Sequence, residues 1–216
     1  MWPFRKKKVD RAETLAAADQ ARIRGRTGRA IGLYRQILAQ DPGDVAVHAK
    51  VAPLLARTGA RADALASFRA AAAGQVRAGF ADRAVALYRQ AAETFPEEEG
   101  LWTEAAKLHL QRGRRGDAVA VLVTAGRRLS GSRQRAVGAK LLRRALDLEP
   151  WQPDATHALA RILARDRRGE EAQALLDGLA ARVRGKLLRR TRRLAFRLSP
   201  SPGTLWRWVR SAVGRR

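Results

Sequence analysis

Residues 29–36 read RAIGLYRQ, and residues 83–90 read RAVALYRQ. The two octapeptides lie 54 residues apart and differ only by Ile to Val and Gly to Ala. Other landmarks keep the same interval. Pro42, Pro96 and Pro150 are 54 apart, as are Ala64, Ala118 and Ala172, and Ala30, Ala84 and Gly138. The step from Ala30 to Ala64 is 34, and from Ala64 to Ala84 it is 20. Three series in register mark a repeated structural unit rather than a chance coincidence in an Ala-rich chain.

The repeated stretches have helical periodicity. In TGRAIGLYRQILAQDP, residues Ala30, Leu33, Tyr34, Ile37 and Leu38 follow the i, i+3, i+4, i+7, i+8 spacing of one apolar face. Thr27 is placed to cap the start. Pro42 stops the continuation and pushes Asp41 out of the helical region. The later copies keep Ala84, Leu87, Tyr88, Ala91 and Ala92, then Leu141, Leu142, Ala145 and Leu146. Glycines at 25, 59, 79 and 113 precede the next helix, where a tight turn needs positive φ. The reading is eleven antiparallel helices over 9–24, 27–40, 44–57, 61–78, 81–94, 98–112, 115–129, 133–147, 152–166, 169–184 and 187–198, with a short twelfth over 204–213. Each 54-residue unit holds three of them, and stacking buries a core that no unit buries alone. Pro53 falls inside a predicted helix and should kink it or restart it near Ala52.

Composition agrees. The 216 residues are rich in Ala and Leu and contain no cysteine, which excludes disulfides and thiolate metal sites. The longest uncharged apolar run, AVAVLVTAG at 118–126, is too short for a membrane span. MWPFRKKK at the N-terminus has its apolar residues before its charges, the reverse of a signal peptide. The expectation is a soluble, cytoplasmic chain, docking at the inner face of the membrane if its basic termini bind lipid. The net charge is +24, and the residues after Asp177 carry 12 basic side chains and no acid. Half of the excess charge is therefore concentrated in one segment, which attracts anionic partners without choosing among them.

The windows of about 34 residues resemble tetratricopeptide repeats. The window from Arg11 supplies Ala18, Gly25, Ala30, Tyr34 and Pro42, and that from Val45 supplies Ala52, Gly59, Ala64, Phe68 and Ala71. The window from Glu99 supplies Trp102, Ala106, Gly113, Ala118 and Ala125. The window from Pro153 supplies Ala160 and Ala172, with Leu176 in the aromatic position. Pro96, Tyr88, Ala84 and Pro150 mark the same pattern in the intervening helices. Small residues let helix axes approach, and the aromatic fills the gap beside them. The resemblance implies an all-α, right-handed superhelix (an α-solenoid) of antiparallel hairpins, here with a 54-residue, three-helix super-repeat. One helix, such as 61–78, must then serve two pairs. The expected organisation is a basic segment at 1–8, a repeat domain at 9–184, and basic amphipathic helices at 185–216 that cap or extend the stack.

No catalytic constellation stands out. His48, His109 and His157 occupy three different places in the repeat, and there is no phosphate-binding glycine motif. PEEEG at 96–100 complements a helix N-terminus. The expectation is a non-enzymatic scaffold with no cofactor, no metal and no small-molecule substrate, binding another protein. The resemblance implies a groove lined by the first helix of each pair, with Asp19, Arg22, Lys107, Gln111, His157 and Arg161 as its candidate residues. The basic tail adds Arg189, Arg190, Arg192, Arg193 and Arg197, followed by Trp206 and Trp208 in TLWRWVR. Four uses of the tail stand open: last helices of the stack, an interfacial anchor on anionic lipid, a phosphate-directed contact with nucleic acid, or a contact with an acidic protein partner.

Overall fold

Helix boundaries recur every 54 residues. The computed structural model describes residues 10–131 and 133–213; the basic N-terminal segment lies outside them. Among the described residues there are twelve α-helices and no strand. They are α1 (Arg11–Ile23), α2 (Thr27–Gln40), α3 (Val45–Arg57), α4 (Arg61–Arg77), α5 (Ala81–Thr94) and α6 (Glu99–Gln111). They continue as α7 (Arg115–Leu129), α8 (Arg135–Leu148), α9 (Pro153–Arg165), α10 (Gly169–Ala180), α11 (Gly185–Leu198) and α12 (Pro202–Val213). The starts of α2, α5 and α8 are 54 apart, as are those of α3, α6 and α9, and those of α4, α7 and α10.

The stops have one cause. Asp41, Phe95 and Glu149 each precede a proline, and each has left the helical region, with φ of −127°, −125° and −130°. The turns have another. Gly25, Gly59, Gly79 and Gly113 all sit at φ between 70° and 80°, where a side chain is disfavoured. Between α9 and α10 the same role falls to Arg167, at φ 60°.

Two sequence expectations are corrected. Thr27 is the first helical residue of α2 rather than its cap, and Arg26 precedes it without a side-chain hydrogen bond. Real side-chain caps are Asp10, Asp44, Gln152 and Ser201. Pro53 does not restart α3, which runs unbroken from Val45 to Arg57. Only the amide that would bond the Ala49 carbonyl is lost.

The chain forms two compact units, up to Phe95 and from Pro96 onward. In the first, α4 packs against both α3 and α5, as the shared-helix reading requires. Ala30, Tyr34, Ile37, Val51, Phe68 and Ala71 lie in its core. Ile31 is buried there, whereas Leu33 is only half-buried. In the second unit α7 packs against α6 and α8, and α10 against α9 and α11. Leu101, Leu141, Leu142, Ile162, Leu176 and Leu179 fill its core. Helices α7 and α8 meet at glycines. A Cβ on Gly126 would lie 2.5 Å from Leu142 Cγ, and one on Gly138 would lie 3.0 Å from the Gly126 carbonyl oxygen.

Candidate interaction surface of the second unit

The candidate groove residues have different fates. Asp19 ties three helices of the first unit together. It accepts hydrogen bonds from the Tyr34 hydroxyl at 2.6 Å and Lys50 Nζ at 2.5 Å, with Arg22 Nε at 3.7 Å. Burial opposes its ionisation, but the Lys50 and Tyr34 bonds outweigh that and hold its carboxyl below the ordinary range. Burial and the Asp19 bond push the Tyr34 hydroxyl up to about 12. Lys107 pairs with Glu104 at 2.6 Å along α6, and Gln111 is exposed at that helix's end.

His157 is a correction. It is 1% exposed and joins α9 to α11, so no partner can reach it. Its Nε2 is 2.9 Å from Thr191 Oγ1, and Thr191 donates its single hydroxyl hydrogen to the Leu187 carbonyl. The histidine must therefore be the donor, which fixes the neutral Nε2–H tautomer. Its Nδ1 has no hydrogen-bond partner among the described residues. Burial, then the charges of Arg190 and Arg161, push its pKa down to about 4.

One helical turn beyond His157, Arg161 is exposed. It shares an open depression of about 440 Å³ with Arg165, Ala164, Leu194, Arg197 and Leu198. A smaller hollow of about 210 Å³ adjoins it, lined by Arg161, Arg190, Arg193, Leu194 and Arg197. Burial, then Arg190, Arg127, Arg197 and Arg165, lower the Arg161 guanidinium from its ordinary value. Asp154 lies 3.5 Å from Arg127 and 3.8 Å from Arg190. Arg161, Arg193 and Arg197 have no acidic partner within 4 Å among the described residues. A cationic rim over a leucine floor is the result.

Helix α11 divides the arginines of the tail. Arg190, Arg193 and Arg197 are spaced three and four apart and line the α9 side. Arg189 and Arg192 line the α12 side, in a depression of about 460 Å³ that also takes Trp206, Arg184, Arg207 and Arg210. Asp177 draws Arg207 to 2.9 Å and Arg192 to 3.6 Å. The two tryptophans part company. Trp208 stacks on Phe196 at 5.7 Å between centroids. Trp206 is 59% exposed, with the Arg210 guanidinium 5.0 Å from its ring centre.

The sequence alone does not show which neighbour each face of α11 meets, nor that Arg165, Arg184 and Arg210 join those faces. The spacing along α11 contained the signal, but the neighbouring helices assign each side. Among the described residues, no group of three or more His, Asp or Glu side chains is gathered to hold a metal ion. No described helix is long and apolar enough to cross a membrane.

The tetratricopeptide repeat family model matches residues 129–190, from the end of α7 into α11. No curated protein matches the chain in sequence. Among solved structures, the chain is similar to the MamA protein, with 11% identity over 88% of this chain and 96% of that one, at a TM-score of 0.35. It is similar to PilF of Pseudomonas aeruginosa, with 17% identity over 92% and 87% of the two chains, at a TM-score of 0.31. YrrB, a TPR protein described as having an unusual peptide-binding site, shares 12% identity over 93% and 92%, at a TM-score of 0.33.

Proposed function

We propose, starting from the match of residues 129–190 to the tetratricopeptide repeat model, that the chain is a protein-binding scaffold whose second unit takes an acidic segment of its partner between α9 and α11. The observation that carries this reading is the set of arginines without acidic partners, Arg161, Arg193 and Arg197, around Leu194 and Leu198. Like charges held together raise one another's energy, and a carboxylate brought among them relieves it. The leucine floor adds apolar burial, which a bare polyanion does not exploit. An amphipathic segment with Leu on one side and Glu on its flanks therefore fits better than a uniform polyanion.

The test is fluorescence anisotropy with a labelled Leu/Glu amphipathic peptide, compared with a duplex DNA of equal charge. The peptide should bind, and Arg161→Glu with Arg197→Glu should weaken it by about a hundredfold. Retained peptide affinity in that variant, or tighter binding of the DNA, would overturn the reading.

A further inference from the structure

Helix α12 turns an apolar ridge outward. Leu205, Trp206 and Val209 are 41%, 59% and 46% exposed, and no other described helix exposes three large apolar side chains. Their spacing puts them on one face of the helix. The opposite face is fixed. Trp208 stacks on Phe196, Arg207 reaches Asp177, and the buried Thr204 hydroxyl lies 2.9 Å from the Ser199 carbonyl. The ridge is thus held in place, and it is not a helix end waiting to fold inward.

On the Trp206 flank of the ridge the charge has one sign. Arg184, Arg189 and Arg210 line the depression beneath Trp206 and have no acidic partner within 4 Å among the described residues. Asp177 is already engaged by Arg192 and Arg207. A second copy of the chain is a poor occupant. A two-fold contact would bring the same patch against itself and set these arginines against their counterparts. A lipid surface meets both demands at once. Acyl chains accept Leu205 and Val209, an indole suits the headgroup boundary, and anionic headgroups neutralise the guanidinium groups.

We propose that the α12 ridge, flanked on its Trp206 side by Arg184, Arg189 and Arg210, is a docking surface for an anionic membrane. It does not depend on the α9–α11 groove, which lies on the other side of α11. No single part is a strong anchor. The few apolar side chains and the basic flank act together, so binding needs negative lipid and is reversible.

Co-sedimentation of the full chain with vesicles tests this, using phosphatidylcholine alone and phosphatidylcholine with an equal part of phosphatidylserine. The chain should bind the mixed vesicles, with a blue shift of tryptophan emission, and bind the neutral ones weakly. Leu205→Ser with Val209→Ser should reduce partitioning about tenfold at unchanged helical circular dichroism. Arg189→Glu with Arg210→Glu should abolish it, whereas Arg161→Glu should leave most of it. Three results would overturn the proposal: no binding to mixed vesicles, equal binding by the serine variant, or a ridge whose substitution changes only the oligomeric state in sedimentation velocity.

Discussion

The Tyr34 hydroxyl, in a fully buried side chain of α2, donates to the Asp19 carboxylate of α1 across 2.6 Å. Lys50 of α3 meets the other carboxylate oxygen. One carboxylate therefore joins three consecutive helices. Removing the acceptor leaves a buried hydroxyl with no acidic acceptor, whereas removing the hydroxyl leaves Asp19 its lysine. Asp19→Ala should cost about 2–3 kcal/mol and Tyr34→Phe about 1 kcal/mol. Urea unfolding of both variants and of the double variant measures the coupling.

Two glycines inside helices should respond oppositely to one methyl group. Gly32 of α2 has nothing within 4 Å of an added Cβ, so Gly32→Ala should stabilise by up to about 1 kcal/mol. Gly126 of α7 would drive its Cβ against Leu142 and the Gly138 carbonyl. Gly126→Ala should destabilise by about 1–3 kcal/mol. The shift of the unfolding midpoint has opposite sign in the two cases.

His157 should make stability depend on pH in a defined window. Its folded pKa of about 4 lies below the ordinary 6.5, with Arg161, Arg190 and Asp154 the charges around it. The unfolded state therefore binds the proton first as pH falls. The stabilisation from keeping this ring neutral is fully present above 6.5 and is lost progressively down to about 4. It amounts to about 3 kcal/mol. His157→Gln should flatten the stability profile across that window, measured by urea midpoints from pH 7 to pH 4.

Trp208 and Trp206 are two residues apart, but they should behave differently. Trp208→Ala removes the stack on Phe196 and should undock α12, raising amide hydrogen exchange across residues 202–213 by an order of magnitude or more. Trp206→Ala touches an exposed ring and should leave that exchange within about twofold.

The periodicity that RAIGLYRQ announces carried through to the helix boundaries. Pro42, Pro96 and Pro150 act on the residue just before them, and Gly25, Gly59, Gly79 and Gly113 act on their own φ. Both effects are local, so one-dimensional reading suffices. Ile31 was harder, since a stacked helix has neighbours on two sides and a single apolar stripe does not describe both. The site was harder still. His157 looks the same on a helical wheel whether it faces a groove or a neighbouring helix. Thr191, which decides the matter, is 34 residues away.

The order of residues by itself determined that the chain is helical, where most helices stop, and that three helices form one repeat; α10, expected to run to 184, ends at Ala180. Proline geometry, glycine freedom and the 3.6-residue period all act within a few positions. Only the tertiary structure decided which polar residues are used up and which are presented. It turned Asp19 and His157 into internal ties, and it split the arginines of α11 between the α9 groove and the α12 ridge. Those choices depend on what packs against each side of a helix, and that contact joins residues remote in sequence.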